Sequence, residues 1–323
     1  MSIKAIRIHK TGGPDVLQLD DIDLPPPGAG QVRVANKAVG LNFVETYFRS
    51  GLYPVPMPFT LGSEAAGIVE ALGEGVTHLK VGDRVAYNSG GAYAQATNVP
   101  AIRALPLPDA VSFEAAATLL LKGATAEYLL RRTFRVERGQ TILWHAAAGG
   151  VGLIATQWAK HLGATVIGTV GSDDKAALAK AHGCDHVINY RNENVAERVK
   201  EITGGKKVPV VYDGVGKDTF LSSLDCLAPR GLLVSFGNAS GPVTGVDLGI
   251  LASKGSLYLT RPTLATYAAS NEDYADIGRH VFDVVASGAV KIQINQRYKL
   301  ADAAQAHRDL EARKTTGATV LVP

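Results

Sequence analysis

Apolar and polar residues alternate over residues 3–9 and again over 31–39. A period of two predicts strands with one buried face. Between them, Pro25-Pro26-Pro27-Gly28 predicts a turn. Residues 82–85 and 92–99 predict further short strands, and helical spacing is weak before residue 125. Residues 1–125 therefore read as a β-rich, partly barrel-like domain.

The pattern changes after residue 125. A short apolar strand at 141–145 leads into 149–162, where Ile154, Ala155, Trp158, Ala159 and Leu162 recur at helical spacing. Strands at 165–170, 186–189, 208–212, 232–236 and 256–260 alternate with helices at 175–182, 194–203 and 219–227. Gly183 and Gly204-Gly205 close two of these helices. Such alternation predicts a doubly wound parallel sheet over 126–260. The tail, 261–323, reads as a helix over 274–286, then strands at 296–300 and 318–322 around a helix over 301–312. It is expected to return to the first domain.

Composition narrows the class. The chain has 323 residues, 33 basic and 30 acidic side chains and a net charge of +3, with no basic cluster of the kind a nucleic-acid binder carries. Two cysteines supply neither a disulfide framework nor a four-thiolate zinc site. No secretory signal and no 18-residue apolar span is found, so a reducing, cytoplasmic location is expected.

Ala146-Ala147-Ala148-Gly149-Gly150-Val151-Gly152 follows a strand and opens a helix. In that context a glycine loop binds a dinucleotide diphosphate. Ala147 takes the first glycine position, Gly149 the second and Gly152 the third. The backbone of Ala148, Gly149, Gly150 and Val151 then faces the anion at the helix N-terminus. The next strand ends in Gly171-Ser172, without the carboxylate that would bind a ribose 2′-hydroxyl. Ser172, Lys175 and Arg191 suit a 2′-phosphate instead. Asp173 and Asp174 oppose that reading, unless they serve as helix caps and first-turn charges. The cofactor expected is NADP(H).

Gly62-Ser63-Glu64-Ala65-Ala66-Gly67, with Gly73 and Val76, resembles the zinc-site signature of the medium-chain dehydrogenase/reductase superfamily, with Ser63 where the ligand histidine would stand. Asn42 stands where zinc members place a ligand cysteine, and Cys184 and Cys226 lie away from both motifs. No zinc site is therefore expected. Residues 139–160 are similar to the signature of the zinc-independent quinone oxidoreductase/zeta-crystallin family, and the resemblance extends over 42–54, 121–130, 210–216 and 233–241.

The resemblance implies a GroES-like catalytic domain, a six-stranded Rossmann domain with a cleft between them, a homodimer, and NADPH-dependent reduction of a quinone without a metal. A quinone accepts hydride readily, so the protein need only align the rings, exclude water and stabilise charge on the oxygen. It implies catalytic positions at Asn42, Tyr47 and Tyr53. It also implies cofactor contacts at Asn42, Thr125, Gly171, Ser172, Lys175, Tyr190, Phe236, Asn238 and Arg313. A zinc-free enone or alkenal reductase is the nearest alternative, because hydride delivery to an activated double bond needs the same alignment. An NADPH-dependent RNA-binding or crystallin-like protein is the alternative of another class. Neither a membrane nor a dedicated nucleic-acid partner is expected. His145, Glu64 and both cysteines read as structural.

Overall fold

The computed structural model describes residues 1–323, which fall into two compact units. The first comprises 1–122, 270–282 and 292–323; the second comprises 123–269 and 283–291. The division thus lies at Lys122/Gly123, inside the helix Phe113–Tyr128. Of the residues after 260, 270–282 and 292–323 group with the first unit, and 261–269 and 283–291 with the second.

The first unit is built on a seven-stranded sheet and a three-stranded one. The long strand Gln31–Gly40 pairs antiparallel with Glu64–Leu72 and with Ala96–Pro100. Its early residues alternate between buried and half-exposed, as period two requires. The C-terminal strand Ala318–Val322 closes onto it through Val320 and Leu321, and pairs parallel with Ile294–Lys299. The core includes Ile6, Ile8, Val32, Val34, Leu61, Val69, Tyr87 and Leu321. Tyr274 fastens residues 270–282 to this unit, accepting from the Asn88 N–H at 3.1 Å and donating to the Arg103 carbonyl at 3.0 Å.

Two helices here depart from the β-rich expectation. Phe43–Ser50 buries Glu45, Thr46, Tyr47 and Arg49, so polar side chains occupy its inner face and mask the helical stripe. Phe113–Tyr128 is covered on most sides and reads as a continuous apolar run.

The second unit holds six parallel strands in the order His186–Asn189, Thr165–Val170, Thr141–Trp144, Val208–Asp213, Leu227–Ser235, Tyr258–Thr260. This order reverses direction between the first and fourth strands in sequence of the unit, as in a Rossmann fold. Five of the six residues of Thr165–Val170 are fully buried, as expected for a strand covered on both faces. The core gathers Leu143, Ile167, Ile188, Val211, Leu224 and Leu233. Residues 283–291 belong here through Gln157, which donates to the Lys291 carbonyl at 3.1 Å and accepts its N–H at 3.0 Å.

Candidate active site

In the second unit the strand Thr141–Trp144 runs into the glycine loop, and the helix Gly150–His161 starts from it with Gly149 as cap. The left-handed residue of the turn is Ala146, at φ 53°. Gly152 packs so closely under the turn that a Cβ would stand 2.4 Å from the Ala146 carbonyl oxygen. The first-turn amides of Gly150 and Val151 have no partner inside the helix and face outward. With the positive helix end they form an anion cradle.

The next strand, Thr165–Val170, delivers Gly171 and Ser172. Ser172 caps the helix Asp173–Ala181 by accepting the Lys175 N–H, so its own hydroxyl proton remains available for a ligand. Asp173 is not the cap. It lies in the first turn and accepts from Asn189 Nδ2 at 2.9 Å. The Tyr190 hydroxyl crosses over Gly171, 2.4 Å from where a Cβ would stand, and Tyr190 is 41 % exposed. Tyr190 and Gly171 therefore meet beside Ser172, whose hydroxyl accepts the Lys175 backbone N–H, with exposed Arg191 next in the chain after Tyr190.

Phe236 and Asn238 follow the strand Leu227–Ser235. The Phe236 ring tilts against Trp144 at 5.5 Å. This strand end is held by Asp213, whose carboxylate accepts from the Val215 and Gly216 amides, Thr219 Oγ1 and Ser223 Oγ at 2.7–3.0 Å. Ser223 in turn accepts from His145 Nε2 at 3.0 Å, and His145 Nδ1 faces Thr169 Oγ1 at 2.9 Å. Burial pushes the imidazole below its ordinary pKa, with Asp213 opposing. The neutral ring fastens the glycine loop to the strand ends. Thr125 lies half-buried on the helix Phe113–Tyr128.

In the first unit Asn42 precedes the helix Phe43–Ser50, and Tyr47 and Tyr53 pack edge to face at 5.2 Å. Arg313 lies in this unit too, exposed just past the helix Ala303–Glu311 at φ 58°. Behind Asn42 is a buried polar cluster. Glu64, fully buried, accepts from the Leu121 N–H at 2.7 Å, Lys122 Nζ at 2.9 Å and Asn42 Nδ2 at 3.0 Å. Gly40 makes room, since a Cβ there would stand 2.1 Å from the Ala117 carbonyl oxygen and 2.6 Å from Glu64 Oε1. Glu45, also fully buried, accepts the Asn42 N–H at 2.7 Å through Oε2. Ser63 is half-buried, its carbonyl pinned by Asn88 Nδ2 at 2.8 Å.

This donor set does not fit zinc. Zinc takes thiolate, imidazole or carboxylate. Here an amide side chain, a backbone N–H and a buried ammonium surround the Glu64 carboxylate, and the ammonium repels a cation.

Glu45 and Lys122 went unsingled by sequence reasoning, although each leaves a trace. Asn42-x-x-Glu45 is a capping-box pattern, and Lys122 is a lone charge in the run Leu119-Leu120-Leu121-Lys122-Gly123-Ala124.

Comparison with known proteins agrees over the whole chain. Residues 28–132 match the alcohol dehydrogenase GroES-like domain, and 150–282 match the zinc-binding dehydrogenase domain. The chain is 58 % identical to a quinone oxidoreductase of Pseudomonas aeruginosa, with 99 % of each covered. It is 44 % identical to a 2-haloacrylate reductase of a Burkholderia species, again with 99 % of each covered. The crystal structure of Escherichia coli quinone oxidoreductase complexed with NADPH superposes with a TM-score of 0.98 at 54 % identity, covering 99 % of this chain and 100 % of that one.

Proposed function

Because the chain belongs to the zinc-independent quinone oxidoreductase family of the medium-chain dehydrogenase/reductase superfamily, we propose that it reduces quinones with NADPH. The observation that carries this reading is the Gly171–Ser172–Lys175–Tyr190 corner, which offers a cation and hydroxyls where an NADH site would offer a carboxylate. When bound, NADPH supplies the hydride. The amides around Ala148, Gly149, Gly150 and Val151 hold its diphosphate, and Ser172, Lys175 and Tyr190 hold its 2′-phosphate. Phe236 and Asn238, at the carboxyl end of a strand, and Thr125 would hold the nicotinamide.

Asn42 and the Tyr47–Tyr53 wall face the quinone. Asn42 gives one amide N–H to Glu64 and keeps a second for the oxygen on which charge develops. The first test is steady-state oxidation of NADPH and NADH with 1,4-benzoquinone, with and without a chelator. Fast, chelator-insensitive turnover that prefers NADPH is expected, and no quinone-dependent turnover sinks the reading.

A second reading, reduction of an activated C=C bond, draws support from the 2-haloacrylate reductase relative. Relative kcat/KM on benzoquinone and on an alkenal separates the two.

The working form is a homodimer that extends the parallel sheet through its edge strand Tyr258–Thr260, where Tyr258 is 63 % exposed. Light scattering tests this. The location is cytoplasmic, a reducing compartment in which Cys184 and Cys226 stay thiols. Both are buried, and burial pushes each to about 12. No helix is long and apolar enough to cross a membrane.

A further inference from the structure

Two carboxyl groups share the buried pocket behind Asn42, and their surroundings differ sharply. Glu64 is met by an ammonium, an amide side chain and a backbone N–H. Glu45 accepts the Asn42 N–H on Oε2 and has the Ser63 side chain as a neighbour, while its buried Oε1 is left without a partner of good hydrogen-bond geometry. An ionised carboxylate with a bare buried oxygen is costly, whereas a protonated one needs only somewhere to point its O–H. Ser63 lies beside it and is partly exposed.

We infer that the Glu45 carboxyl is a proton reserve behind Ser63, supplying through the Ser63 hydroxyl the proton that the substrate oxygen takes up. The inference rests on the quinone reading above. Hydride arrival reduces the quinone by two electrons and leaves negative charge on its oxygen. Ser63 gives its hydroxyl proton to that oxygen, and the Glu45 Oε1 proton replaces it on Oγ. Glu45 is left as a carboxylate near Lys122 and regains a proton from water before the next cycle. Atoms and charge balance with no further reactant.

The neighbouring groups leave Glu45 as the one that titrates near neutrality. Burial raises its pKa to about 7, against the opposing pull of Ser63 and Lys122, while Glu64 adds to the rise. Tyr93, the next titratable group, is pushed well above its ordinary value by burial and by Glu45. Behind it, His307 faces the Tyr93 hydroxyl at 3.2 Å and Arg49 at 3.1 Å, and burial holds His307 at about 3.

The purely structural role, closing the helix N-terminus, is separable by substitution. Glutamine at this position also closes a capping box but carries no titratable proton. Glu45→Gln is expected to bind NADPH as the wild type does, by fluorescence titration, yet to lower kcat about tenfold or more. The wild-type kcat is expected to decline as pH rises above about 7, and the variant's kcat should not. Ser63→Ala, which leaves the cap intact, is expected to behave likewise. Infrared spectra of the cofactor-free wild type should show a protonated-carboxyl band that fades as pH rises through that range and is missing from Glu45→Gln. Wild-type kcat and pH profile in either variant, or no such band, overturns the inference. A wild type that turns over no quinone would instead overturn the substrate reading, while the infrared band still reports on the reserve.

Discussion

Lys122 Nζ stands 2.9 Å from Glu64 Oε1, with side-chain exposures of 6 % and 0 %. An ion pair so deeply placed has lost the hydration of both charges, and removing one partner strands the other. Lys122→Met should therefore cost about 3–5 kcal/mol of folding stability. Lys122→Met with Glu64→Gln should recover most of that loss, because no bare charge remains. Urea unfolding of the four proteins in the cycle measures it. A single-variant loss below about 1 kcal/mol would show that the pair is solvated.

The cofactor corner makes a sharper functional prediction. A charge-assisted hydrogen bond to a phosphate contributes about 1.5–3 kcal/mol. Lys175→Ala should thus raise KM for NADPH at least about tenfold and leave KM for NADH nearly unchanged. Equal losses for both cofactors would mean that Lys175 holds the loop rather than the 2′-phosphate.

What was legible in the sequence depended on how locally each feature is encoded. The glycine loop is a strand, a turn and a helix within about two dozen residues, so spacing alone exposes it. The absence of a carboxylate near Ser172 is equally local. The Glu64–Lys122 pair joins residues 58 apart, and Arg49 meets His307 across 258. Composition carries no trace of such pairings. The helix Phe43–Ser50 was hidden for a related reason: Glu45 and Arg49 point into the protein, where tertiary partners rather than solvent satisfy them. The resemblance to the zinc-site signature located Asn42 and Ser63 but said nothing of the ammonium that now stands beside Glu64.

Asp213 offers a test of how the strand ends are held. Its carboxylate takes four donors, and through Ser223 it fixes the neutral His145 beside the glycine loop. Asp213→Ala leaves those donors unpaired in a buried place, at about 1–3 kcal/mol for each that finds no water. A loss of at least about 3 kcal/mol is expected in thermal or urea unfolding. A change under about 1 kcal/mol would mean that the loops stand without it.

Folding also moves a proton between two sites, and this has a measurable consequence. The Glu45 pKa rises from 4.5 to about 7 on folding, so its favourable contribution is complete below about 4.5 and is lost as pH rises through 7. The His307 pKa falls from 6.5 to about 3, so folding is opposed increasingly as pH drops below 6.5. Between pH 4.5 and 6.5 the unfolded chain carries the proton on His307 and the folded chain carries it on Glu45. The two slopes, each about 1.4 kcal/mol per pH unit, cancel there. Glu45→Gln removes one of them. Its stability relative to the wild type should climb with pH, by about 3 kcal/mol across this window. Urea unfolding at pH 4.5, 5.5 and 6.5 reads the difference directly, and a difference that stays constant with pH would place the Glu45 proton elsewhere.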